Sequence, residues 1–147
     1  MFKNILSYFD SLGWKYHVPE STKTLALLGI EAVNSKYNCI ADVDEDSYRF
    51  VFFSVCPIKI PPPKRREMAE LLTRINYSLF LDNFDFDFED GEIRFKTSIL
   101  YESIELTPTI IGNIITSNLF AMDENIATIT TFAFGGLSIE EALKKIK

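Results

Sequence analysis

Between residues 84 and 96 the chain alternates so strictly that one local structure fits. Phe84, Phe86 and Phe88 are interleaved with Asp85 and Asp87, the preferred hairpin dipeptide Asp90-Gly91 follows, and then come Ile93, Arg94, Phe95 and Lys96. A turn centred on Asp90-Gly91 sets Phe88 against Ile93 and Phe86 against Phe95 on one face. It sets Asp87 against Arg94 and Asp85 against Lys96 on the other. Exposed ion pairs add only ~0.2–1 kcal/mol each, whereas a misplaced Phe forfeits about 1.5–3 kcal/mol, so the Phe face decides the register.

A second β region runs from Thr24 to Pro57, with turns at Asn34-Ser35-Lys36 and at Asp44 to Ser47. If the later turn centres on Glu45-Asp46, Val43 faces Tyr48, Ala41 faces Phe50, Cys39 faces Phe52 and Asp42 faces Arg49. The opposite charges at Asp42 and Arg49 favour that pairing. Ile58 to Pro63 holds three prolines, just after Pro57, and must be an extended connection.

Helical spacing marks the remaining segments. Phe2, Ile5, Leu6, Phe9 and Leu12 form one stripe ended by Gly13. A second helix is expected from about Pro63 to Leu79, burying Met68, Leu71, Leu72, Ile75 and Leu79. Thr107-Pro108 opens a long helix through Ile111, Ile115, Met122, Ile126 and Ile129, which Gly135-Gly136 breaks. Ser138 with Glu141 forms a capping box for a last short helix ending in Lys144, Lys145 and Lys147. The elements predict an α+β fold in the order α-β-β-β-α-β-β-α, with one mostly antiparallel five-stranded sheet packed with helices.

A chain of 147 residues fits one domain, 1–147, and needs no metal or disulfide to build a core. The aromatic content is skewed: thirteen Phe against one Trp and one His. Phe supplies apolar packing area with no polar group to satisfy. Net charge is −6, which argues against nucleic acid, since that affinity comes largely from Lys and Arg neutralising phosphates. The one basic run, Lys64-Arg65-Arg66, reads as a solvated helix turn. Leu106 to Met122 is uncharged but interrupted by Pro108, Gly112, Asn113 and Asn118, and reads as a buried helix, not a membrane span. No secretory signal opens the chain, and the cytoplasm is the expected location.

Motifs that carry chemistry fail one by one. Asp42, Asp44 and Asp46 resemble the start of a calcium loop, but Ser47 and Phe53 stand where Gly and Glu are required. The acidic cluster from Asp85 to Glu92 fails likewise, and no metal is expected. His17, placed in an early loop, has no nucleophile elbow or ligand spacing around it. Cys39 and Cys56 lie within apolar strands and are expected to pack, unpaired. No phosphate-binding glycine motif occurs. No catalytic, cofactor or metal residue is assigned.

The run Glu70-Leu-Leu-Thr-Arg-Ile-Asn76-Tyr-Ser-Leu-Phe80, then Phe84 to Phe88, Asp90-Gly91-Glu-Ile-Arg-Phe95, Leu106-Thr-Pro108 and Gly135-Gly136 resembles the YbjN-domain family of bacteria. A Gly common in that family near the end of the second helix is absent, so Asp82 or Asn83 is expected to make the turn. The resemblance implies a fold similar to type III secretion chaperones and a role as a regulator of sensory transduction. It brings no catalytic or cofactor residues, and it implies a homodimer.

A non-enzymatic regulator or chaperone-like module that binds a protein or peptide is therefore expected, through an apolar groove or an added strand. The rival readings are an enzyme using scattered carboxylates and a structural subunit of a larger assembly. The strand from Arg49 to Val55 is apolar on both faces. Phe50 and Phe52 share one side with Cys39, Ala41 and Tyr48, whereas Val51, Phe53 and Val55 share the other with Ile40. Either the first helix and the chain after Gly13 complete the cover over Val51, Phe53 and Val55, or those three residues form a partner-binding surface.

Overall fold

The computed structural model describes residues 1–19 and 23–146. Among them the elements are α1 (Phe2–Ser11), β1 (Tyr16–His17), β2 (Thr24–Glu31), β3 (Lys36–Asp44), β4 (Arg49–Lys59), a 3-10 turn (Pro62–Lys64), α2 (Arg65–Ser78), β5 (Asn83–Phe86), β6 (Glu92–Leu100), α3 (Pro108–Phe134) and α4 (Ile139–Lys145). The caps are those the residues predict. Thr107 Oγ accepts from the Ile110 amide and Ser138 Oγ from the Glu141 amide, each satisfying a donor that the first helical turn leaves free. Lys147 lies outside the described residues.

The strands form one antiparallel sheet in the order β1-β2-β3-β4-β6-β5. It has six strands, not five, because Tyr16 and His17 pair with Leu27 and Ala26. His17 thus lies in a short strand, not in a loop.

Both hairpins keep the expected faces but are offset by two residues from the expected register. In the first, Val43 faces Phe50, Ala41 faces Phe52, Cys39 faces Ser54 and Asp44 faces Arg49. The Asp44 carboxylate accepts from the Asp46 and Ser47 amides and the Ser47 hydroxyl, which moves the turn onto Glu45–Tyr48. Tyr48, expected on the sheet, sits in that turn with φ of +53°. In the second, Phe86 faces Ile93, Phe84 faces Phe95 and Asp85 faces Arg94. Its turn is longer than two residues because the Asp87 amide bonds to the Glu92 carbonyl and the Gly91 amide to the Asp87 carbonyl. Gly91 is required there: a Cβ would stand 2.3 Å from the Ile60 carbonyl oxygen of the proline-rich connection.

One apolar core lies on one side of the sheet. Leu25, Leu27, Cys39, Ala41, Phe50, Phe52, Ile93 and Phe95 supply the strand side. The buried stripes of α1 (Ile5, Phe9), α2 (Met68, Leu71, Leu72, Ile75), α3 (Ile111, Ile115, Met122, Ile126, Ile129, Phe132) and α4 (Ala142) join the same core. Of the two alternatives for Val51, Phe53 and Val55, cover by the first helix does not hold, and Trp14 and Tyr16 after Gly13 also pack against the core. Helix α1 packs against α3 instead, where Gly112 leaves room for the Tyr8 ring: a Cβ there would meet the Tyr8 hydroxyl at 2.8 Å. After α2, Leu79 leaves in an extended conformation and the chain bends at Phe80 and Leu81, not at Asp82 or Asn83 as expected.

Candidate functional site

The side of the sheet opposite the core carries Val51, Phe53 and Val55 at its centre. The register builds rows across it: Ala26, Ile40, Phe53, Lys96 and Asn83 in one, and Asn38, Val55, Arg94 and Asp85 in the next. Val51 is buried yet stands outside the core, and Phe53 and Val55 are half-buried. Among the described residues no helix lies over this strip. Its cover comes from charged neighbours: the Arg94 guanidinium sits 5.4 Å from the centre of the Phe53 ring, held by Glu92. Arg49 reaches both Asp42 (3.7 Å) and Asp44 (3.8 Å), and Lys96 reaches Asp85 at 3.1 Å. The result is an apolar strip framed by ion pairs.

A second recess lies elsewhere. Leu81 and Asp82 from the α2–β5 connection, Thr97 to Ile99 of β6, and one side of α3 from Asn113 to Phe120 enclose a cleft of about 560 Å³. Burial pushes the Asp82 carboxyl above its usual range, with the Thr97 hydroxyl acting in the opposite direction.

Several polar side chains that motif reading passes over turn out to hold the scaffold. Asp123 of α3 accepts from the Val33 amide (3.1 Å), the Asn34 amide and side-chain amide, and the Tyr37 hydroxyl (2.7 Å). It thereby ties the β2–β3 turn to the middle of α3. Burial, and then the Asp123 carboxylate, push the Tyr37 phenol upward, so it remains a donor. Asn118 donates to the Phe52 and Phe95 carbonyls and to Thr97 Oγ, stitching α3 to β4 and β6. The sequence carries a signal for Asn118: it sits in the buried stripe between Ile115 and Met122. Asn76 of α2 both donates to the Phe84 carbonyl and accepts from the Phe84 amide, which occupies the free edge of β5 at that residue. Arg65 is not a solvated helix residue: it donates to the carbonyls of Ile60, Phe88 and Glu89 and locks the second hairpin turn.

The nucleophile candidates are ill placed for chemistry. Cys39 and Cys56 are free and buried, and burial pushes their thiols up to about 12 and about 11, away from the reactive thiolate. His17 is exposed on the edge strand. Among the described residues no group of three His, Cys, Asp or Glu side chains is arranged to hold a metal ion. No described helix is long and apolar enough to cross a membrane.

The sequence model of the YbjN family, described as "Putative bacterial sensory transduction regulator", matches residues 2–130. The chain belongs to the YbjN family. No curated protein matches it significantly. Among solved structures it is similar to the crystal structure of YbjN from E. coli, described there as "a putative transcription regulator". The TM-score is 0.60 at 14% identity, over 88% of this chain and 87% of that one. At that identity the likeness shows the fold, and the α+β architecture is thus shared. The residues on which the family resemblance rests are structural in this YbjN-family chain. Asn76 blocks an edge, Phe84 and Phe95 meet edge to face in the core with ring centres 4.8 Å apart, Gly91 admits the proline-rich connection, and Thr107 caps α3.

Proposed function

We propose that this YbjN-family chain is a non-enzymatic regulator that acts in the cytoplasm by holding a polypeptide partner on Val51, Phe53 and Val55. The observation that carries the reading is the position of the helices. All the described helices pack into one core, and the apolar strip on the other side keeps only side-chain cover. A strip of this kind, framed by charges that set orientation, suits a protein surface better than a small substrate. Strand addition at β5 fits less well, because Asn76 already occupies the backbone of Phe84.

The test is Phe53→Ser. Because Phe53 lies outside the core, the variant should lose no more than about 1.5 kcal/mol of stability in urea. Affinity capture with the wild-type chain should recover a partner that the variant does not. A loss of stability of the size expected for a core Phe, about 3 kcal/mol or more, would refute the surface reading. Light scattering decides whether the partner is a second copy: a dimeric mass reduced to a monomer by Phe53→Ser makes it one.

A further inference from the structure

The cleft between α3, β6 and the α2–β5 connection has an electrostatic asymmetry that the scaffold does not use. Among the described residues Asp82 is the one charged side chain lining it. Among the described residues Asp82 has no ion-pair partner, although ten other ion pairs form in the molecule. Around it the cleft carries neutral polar groups, among them Thr97, Asn113 and Ser117, and the apolar Leu81, Ile99 and Phe120, and the apolar part extends beyond the cleft. Leu81 and Phe120 line it while remaining 83% and 65% exposed, and Phe80 beside Leu81 is fully exposed. A carboxylate set in such surroundings without a counter-ion costs stability, so a chain selected only to fold gains nothing by placing it there. It does provide a place for an incoming cation.

We infer that this cleft receives a segment of a polypeptide partner that presents a Lys or Arg flanked by apolar side chains. The cation meets Asp82, and the apolar neighbours pack on Leu81, Ile99 and Phe120. Charge complementarity sets the sign, since the cleft offers one negative group and no positive one. The exposed Phe80, Leu81 and Phe120 argue for a polypeptide in preference to a small amine, which would leave them uncovered. A net charge of −6 favours the approach of a basic segment and opposes a second copy of this chain. The inference rests on the reading of this protein as a polypeptide-binding module and names a different surface of it.

A phage-displayed library of random short peptides, panned on the full-length chain, supplies the probe. Selected peptides are then synthesised and titrated by fluorescence anisotropy against wild type, Asp82→Asn, Phe120→Ser and Phe53→Ser. Both cleft variants alter side chains outside the core, and circular dichroism verifies their fold. The expected winners carry Lys or Arg between apolar residues. Asp82→Asn should weaken them by about tenfold or more and abolish the preference for Lys over norleucine. Phe120→Ser should weaken them several-fold, and Phe53→Ser should not. Winners without a basic residue, or winners that bind Asp82→Asn as well as wild type, overturn the inference. If those winners are lost on Phe53→Ser, the polypeptide-binding reading stands and the cleft is eliminated. No winners at all counts against both. A dimer that Phe120→Ser dissolves gives the cleft to a second copy and also overturns the inference.

Discussion

Phe52 and Phe53 are neighbours on β4, and they meet opposite surroundings. Phe52 points toward the helices, fully buried beside Ala41 and Thr97, with its own carbonyl held by Asn118. Phe53 points away from them, half-buried between Ile40 and Lys96 under the Arg94 guanidinium. On the core side polar side chains tie elements together, as the Asn118 side-chain N–H groups and the Asp123 carboxylate do. On the open side apolar groups are left to a frame of side chains that solvent or a partner can displace. Apolar content alone therefore does not tell core from surface; the second layer packed on each face does.

The largest effect expected from this contrast is at Phe52. Phe52→Ala leaves a cavity the helices cannot close and should cost about 3–5 kcal/mol, read as a drop in urea midpoint with unchanged slope. The same measurement on Phe53 variants should give a much smaller loss. Similar losses at both positions would mean that the open side is packed as tightly as the core.

Next in size is Asp123. Asp123→Ala removes the acceptor for the Val33 and Asn34 amides, which lie in an exposed turn and can pass to water, and leaves the buried Tyr37 hydroxyl without its partner. A loss of about 1–3 kcal/mol is expected, the cost of one orphaned buried donor at Tyr37. Amide exchange should accelerate most in the β2–β3 turn. Uniform acceleration across the sheet, with no excess at the turn, would show that Asp123 is not the specific anchor of that hairpin.

The contrast also shows what could be read in the residues and what could not. The two-residue period of a strand assigns the side chains of Phe84–Phe86 and of Arg49–Val55 to their faces, because a face depends only on whether a position is odd or even; Phe88, expected opposite Ile93, lies instead in the turn and is exposed. Register needs more. A shift by two leaves the faces intact, and the ion pairs that favoured one register do not discriminate: Arg49 reaches both Asp42 and Asp44, and Lys96 reaches Asp85 although Asp85 stands opposite Arg94. The turn decides, through the Asp44 carboxylate and the Asp87 backbone, and neither bond is implied by composition. The buried stripes of α1 and α3 were legible, but not that α1 leans on α3; that depends on Gly112 accepting Tyr8, a contact distant in sequence. Val51, Phe53 and Val55 were visible as an excess of apolar residues on one strand. The cleft was not, because Asp82, Thr97 and Phe120 come from three separate elements.

The smallest expected effect has the opposite sign, and it concerns Asp82. Its carboxyl is raised above the ordinary value of about 3.9 by burial in the cleft. A carboxyl that titrates higher in the folded chain binds its proton more tightly there than in the unfolded chain. The stability linked to that proton is complete below the unfolded value and disappears as pH rises through the folded one. At neutral pH the ionised Asp82 therefore costs stability. Asp82→Asn, which stays neutral, should unfold at a slightly higher temperature at pH 7. Since Asp82 is still partly in solvent, the gain should stay below about 1 kcal/mol. At about pH 3, where Asp82 is protonated in both states, the gain should vanish. Adding a basic peptide that fills the cleft should reverse the neutral-pH result, because only the carboxylate then finds its counter-ion. A gain of equal size at both pH values would mean that the substitution acts by packing and that Asp82 is not held at a cost. A loss at pH 7 without any peptide would mean that the carboxylate already has a cation partner within the folded chain.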